Sequence, residues 1–220
     1  MEFQILGNPD YGELTLGLAP GETITAESGA MSRMSRHMEL RSRIMGGLLS
    51  GLGRKLFGGE SLFVGEYTAP RGGWLTLAPA VPGQVMHREL GSDDGLILTA
   101  GAFLACSPGV QLSTRFGGLR YMFSGKGAFF LRVTGRGDLF YNSYGAVVER
   151  EVDGQLTVDT GHIVAWEPAL EYSIAGMGGL KQTLFSGEGL VLQFRGRGRV
   201  FLQTRTVGET VGWLSPFCIG

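Results

Sequence analysis

Apolar residues spaced two apart organise this chain. Three segments align without gaps: GETITAESGAM from Gly21, GAFLACSPGVQ from Gly101 and GHIVAWEPALE from Gly161. Ile24, Leu104 and Val164 occupy one position; Ala26, Cys106 and Trp166 follow two residues on. Ser28, Pro108 and Pro168 come next, then Ala30, Val110 and Leu170. A period of two is that of a strand with alternate side chains on opposite faces. Each segment is therefore predicted to be a half-buried strand that follows a glycine turn.

A second block follows in the same order. It reads Gly117-Gly118-Leu119…Phe123-Ser124-Gly125 and Gly178-Gly179-Leu180…Phe185-Ser186-Gly187. The first copy, Gly46-Gly47-Leu48…Phe57-Gly58-Gly59, carries extra residues. Then come paired apolar runs: LFVGEYT/WLTLAP, AFFLRVT/DLFYNS and LVLQF/RVFLQT, joined by APRGG, GRG and RGRG. Short glycine-rich loops between β-branched and aromatic runs predict hairpins. The fold class expected is all-β: three tandem pseudo-repeated antiparallel β-sandwich or jelly-roll-like units packed as one body over 1–220. The units are placed at roughly 1–95, 96–157 and 158–220, with one short helix or loop insertion in the first.

Composition then narrows the class. The 38 glycines fall between apolar runs, which makes them turn residues. A net charge of −1 supplies no global field to attract nucleic acid, so a nucleic-acid partner is disfavoured. Two cysteines far apart, Cys106 and Cys218, build neither a disulfide framework nor a zinc site and fit a reducing compartment. The first residues, MEFQILGNPDYGEL, show no secretory signal, and no long apolar run reads as a spanning helix. The expected location is the cytoplasm, peripheral to a membrane if the basic insertion described next engages one.

Catalytic patterns are thin. His37, His87 and His162 lack metal-ligand spacing, and no nucleophile elbow, phosphate loop or dinucleotide fingerprint occurs. Glu149, Glu151 and Asp153 read as a solvated turn. No catalytic residue, metal or cofactor is assigned.

Two features invite binding instead. Between Met31 and Phe57 lie six basic residues against Glu39. Within that stretch Ile44, Leu48, Leu49, Leu52 and Leu56 fall near helical spacing beside Arg54 and Lys55, as in an interfacial amphipathic helix. The glycines at 46, 47, 51 and 53 weaken such a helix by about 1 kcal/mol each, so an ordered loop packed on a sheet or a neighbouring subunit competes with it. The second feature is Arg71, Arg136 and Arg197, one at each predicted hairpin tip, a candidate anion-binding set.

The residues Glu27–Met31, Gly46–Phe63, Leu77-Ala78-Pro79…Pro82-Gly83 and Val158–Pro168 together resemble a bacterial family of conserved hypothetical proteins. That family is related to the yeast altered-inheritance-of-mitochondria protein, which is implicated in mitochondrial membrane organisation. The resemblance covers nearly the whole chain. It implies a fold like that of the tryptophan RNA-binding attenuation protein, and it brings no catalytic residues. Fold likeness alone carries no RNA-binding claim.

The functional expectation is a non-enzymatic interaction or scaffold protein, homo-oligomeric, that engages a membrane surface or a membrane-associated partner. Open β edges and the prevalence of symmetric assemblies motivate the oligomer. The alternative is a small-anion or nucleic-acid binding module using the hairpin-tip arginines.

Overall fold

A computed structural model describes residues 1–44, 63–92, 94–116, 129–176 and 190–218. Strands make up 64% of it, as the period-two pattern predicts. The chain begins with β1 (Glu2–Leu6), β2 (Glu13–Leu18), β3 (Glu22–Glu27), β4 (Met31–Met34) and β5 (Glu39–Ile44), then β6 (Phe63–Ala69) and β7 (Gly73–Leu77). Next come β8 (Val85–Leu90), β9 (Leu96–Thr99), β10 (Phe103–Cys106), β11 (Val110–Phe116), β12 (Phe129–Gly135) and β13 (Gly137–Asn142). Last are β14 (Val147–Asp159), β15 (Ile163–Trp166), β16 (Glu171–Gly176), the long β17 (Leu190–Gln203) and helix α1 (Val207–Leu214).

These strands form three antiparallel sheets, ordered β1-β2-β7-β4, β5-β6-β3-β10-β13-β8 and β11-β12-β9-β15-β17-β14, with β16 also on β17. The predicted hairpins are absent. β6 pairs with β3 and β5, whereas β7 pairs with β2 and β4 in another sheet. β12 and β13 part in the same way. LVLQF and RVFLQT are one continuous strand, paired along its length with β14. The APRGG and GRG links are corners where the chain steps from one sheet to the next, as sandwiches allow, whereas RGRG lies within β17. Gly135, with φ 95, supplies left-handed backbone at the β12–β13 corner, and Gly196, with φ 112, supplies it within β17 opposite Gly154.

Because a middle sheet is covered on both faces, its strands are apolar on both. In β13 Phe140 faces the first core with Leu16, Ile24 and Leu75, while Leu139 and Tyr141 face the second with Phe103 and Leu131. A third core gathers Trp166, Phe130, Leu192 and Phe194. Trp166 meets Phe130 edge-on at 4.9 Å and Phe194 at 5.5 Å between ring centres.

One pairing pattern comes round three times, in a register the sequence alignment misplaces. β4, β10 and β15 each carry a bulge at the same point of their ladder: after Met31 opposite Leu77, Phe103 opposite Tyr141 and Ile163 opposite Leu202. Four residues further on, Ser35 Oγ accepts from Trp74 N–H at 2.8 Å, Ser107 Oγ from Asp138 N–H at 2.8 Å and Glu167 Oε2 from Arg199 N–H at 3.0 Å. The glycine matching Gly101 and Gly161 is therefore Gly29, not Gly21. Both candidates lie in one period-two stretch, so only the ladder separates them.

Candidate functional site

Of the predicted arginines, Arg71 and Arg136 lie at sheet-switching corners and Arg197 lies within β17; all three are exposed. Arg136 and Arg197 stand at matching places, three residues before Leu139 and Val200 of the aligned ladders. Arg71 lies four before Leu75, in a longer corner, so it is not their equivalent. Arg197 is also spoken for. Its Nε and Nη2 donate to Asp153 Oδ1 and Oδ2 at 3.0 and 3.1 Å across the β14–β17 ladder. Among the described residues Arg71 and Arg136 have no carboxylate partner.

Of the candidate membrane or partner contacts, Ile44 ends β5 opposite Phe63, so it belongs to a strand rather than to a helix start. Leu48, Leu49, Leu52, Arg54, Lys55 and Leu56 lie outside the described residues.

The helix found among the described residues is at the other end of the chain, and the sequence reading missed it. Thr206 caps it: its hydroxyl accepts from Glu209 N–H at 3.1 Å and donates to Glu209 Oε2 at 3.0 Å. Thr-x-x-Glu at 206–209, with Val207, Val211 and Leu214 at helical spacing, was the available signal. The hydroxyls of Tyr144 and Thr210, 2.8 Å apart, tie the helix to the β body. No residue of α1 is buried. Val211 is 58% exposed and Trp213 69%, and beyond the helix Phe217 is 70% exposed. The Trp213 and Phe217 rings sit 5.7 Å apart. Large side chains of this kind ordinarily hide, so several exposed ones gathered on one short segment mark an interaction surface.

His87 and His162 are tied into the fold. His87 Nε2 lies 2.7 Å from Asp138 Oδ1, with the Phe3 ring 4.4 Å away; His162 Nδ1 meets the Gln203 carbonyl at 2.8 Å; His37 is exposed. No metal-binding cluster occurs among the described residues. Burial pushes the Cys106 thiol up to about 12, so it is not a ready nucleophile. Burial also pushes the Glu27 carboxyl up to about 7. Burial would raise Glu167 too, but bonds from the Arg199 side chain and N–H outweigh it and lower the carboxyl.

Comparison with known proteins settles the family. A family model described as mitochondrial biogenesis AIM24 matches residues 3–205. The chain belongs to the AIM24 family. It is 30% identical over 226 residues to an uncharacterised protein of Streptococcus pyogenes serotype M6, covering 99% of this chain and 91% of that one. An X-ray crystal structure of a Streptococcus pyogenes protein superposes with TM-score 0.83 at 30% identity, over 98% of this chain and 99% of that one. The AIM24 match runs through all three sheets and stops just before α1.

Proposed function

We propose that this AIM24-family protein is a non-enzymatic interaction or scaffold protein that uses the exposed apolar side chains of α1 and the residues after it to seat on a membrane surface. The observation that carries the reading is an apolar helix, capped and hydrogen-bonded to the body, whose large side chains face solvent. An interfacial helix places Trp, Phe and Leu at the headgroup boundary. Glu209 is its one charge and is used by the cap, so attachment rests on apolar burial rather than on anionic lipid. No helix among the described residues is long and apolar enough to cross a membrane, and surface seating needs none.

The body presenting this helix is read as three copies of one unit, β2–β7, β8–β13 and β14–β17, and copies of the whole chain as forming a homo-oligomer. The thrice-repeated bulge and side-chain bond support this division, which moves the boundaries to 13–77, 85–142 and 147–203. The arginine alternative is weakened by the Arg197–Asp153 pair.

Vesicle flotation tests the reading. Wild type is expected to float with vesicles of neutral phosphatidylcholine, and Trp213→Ala/Phe217→Ala to stay in the dense fraction while keeping its β circular dichroism. Wild type that stays in the dense fraction refutes membrane seating.

A further inference from the structure

At the joint between the second and third rounds of pairing, a cleft of 390 Å³ opens between β8, β12 and the turn after β15, lined by Arg88, Ser92, Asp94, Arg132, Thr134 and Glu167 among others. Its volume lies in the range of small-molecule sites, about 300–1,000 Å³. The two guanidiniums give it its character. Arg132 is half-buried and has no carboxylate partner among the described residues. Arg88, with a side chain only 20% exposed, reaches Glu167 Oε1 at the loose distance of 3.6 Å. Glu167 is already engaged by Arg199, whose Nη2 and Nε lie 2.6 and 2.8 Å from Oε1 and whose N–H is held by Oε2. Among the described residues, Arg132 therefore faces the cleft without a carboxylate and Arg88 shares one that Arg199 holds more closely, an arrangement that favours an oxyanion bridging the two cations.

The other joint shows that the fold does not require this. There the ladder positions of Arg88 and Arg132 are held by Leu16, opposite Leu75, and Glu66, opposite Thr25; the place of Glu167 is taken by Ser107. Leu16 is buried in the core and Glu66 pairs with Arg43. The arginine pair is thus particular to one joint.

Asp94 completes the site. Its Oδ2 accepts from Gly91 N–H at 3.0 Å, which holds the carboxylate at the cleft wall, and Ser92 and Thr134 line the same space. A carboxylate there repels a bare anion and accepts from a hydroxyl. The geometry points to a binding site for a small hydroxylated oxyanion, with its phosphate or carboxylate between Arg88 and Arg132 and a hydroxyl toward Asp94.

Calorimetric titration of the full chain with inorganic phosphate and with glycerol 3-phosphate tests this. Both probes are expected to bind, glycerol 3-phosphate more tightly. Arg132→Gln and Arg88→Gln each weaken both probes by about tenfold, the loss of one charge-assisted hydrogen bond. Asp94→Asn weakens glycerol 3-phosphate alone, and Arg71→Gln, at a distant corner, changes neither. Absence of heat from either probe up to about 10 mM, a limit near 3 kcal/mol of binding, overturns the site. Binding that survives Arg132→Gln unchanged also overturns it. Equal effects of Asp94→Asn on the two probes refute the hydroxyl contact.

Discussion

Asn8 stands beside Val85 as a strand residue would. Its Nδ2 donates to the Val85 carbonyl at 2.8 Å and its Oδ1 accepts from the Val85 N–H at 2.9 Å. One side-chain amide thus satisfies both backbone groups at the start of β8. Gln84 does half of this one step along, where its Oε1 accepts from Val147 N–H at 3.0 Å at the start of β14. Three separate sheets are linked where their chains begin, without further ladder.

Asn8→Ala leaves both Val85 groups without these partners, and its expected cost is about 1–3 kcal/mol. Asn8→Asp keeps the acceptor and loses the donor, so it falls between. Chemical denaturation of the full chain reads both. Equal stability of Asn8→Ala and wild type would show that water replaces the amide.

Gly83 sits where the chain passes Gly145, and a Cβ there would stand 2.1 Å from the Ser143 carbonyl oxygen and 2.6 Å from Gly145 N. These are backbone atoms, so no rotamer change relieves the overlap. Gly83→Ala is expected to cost more than about 3 kcal/mol, beyond ordinary overpacking. Gly101, whose added Cβ meets nothing within 4 Å, is the control; Gly101→Ala is expected within about 0.5 kcal/mol of wild type. Melting temperatures of the two variants should diverge.

Glu27 links stability to pH. Burial raises its folded carboxyl to about 7 from an unfolded value of 4.5, so the folded protein binds the proton more tightly. A group raised in this way favours folding while protonated. Its stabilisation is full below the unfolded value, falls as pH rises through 4.5 to 7, and is lost above. Glu27→Gln removes the titration. Relative to this variant, wild type should lose about 1–3 kcal/mol between pH 4 and pH 8, a range set below the full linkage value because the side chain is half-buried. Parallel denaturation midpoints for the two proteins across that range would refute the assignment.

Much of this architecture was legible in the residues, and the misreadings have physical causes. WLTLAP and DLFYNS are strands as predicted. The error lay in joining each to its predecessor as a hairpin, because a glycine-rich link serves equally for a fold-back within one sheet and a step to the next. The run Leu139-Phe140-Tyr141 held the hint: consecutive apolar residues mean both faces are covered, which a middle sheet provides and an exposed hairpin does not. Arg197 looked free because Asp153, its partner, lies 44 residues away and meets it only through the β14–β17 register. The Arg88–Arg132 cleft has no sequence motif, since separate strands and the turn after β15 build its walls.

Arg33 closes off an edge that the other rounds leave open to pairing. At the internal joints Ala105 lies opposite Ala26 and Ala165 opposite Leu98, all fully buried. The bulge register puts Arg33 of β4 in the place of Ala105 and Ala165, but β4 is an edge strand of its sheet. There Arg33 is exposed and forked to Glu13, with Nη2 to Oε1 at 2.6 Å and Nη1 to Oε2 at 3.0 Å. A charge at that position keeps the strand from recruiting another chain as the neighbour that alanine accepts. Arg33→Ala should therefore raise self-association through β4, seen as a concentration-dependent increase in mass by light scattering over wild type. Arg33→Lys, which keeps the charge and loses the fork, should not. A mass that is the same for all three proteins at every concentration would mean that the edge is protected by its bulge and not by its charge.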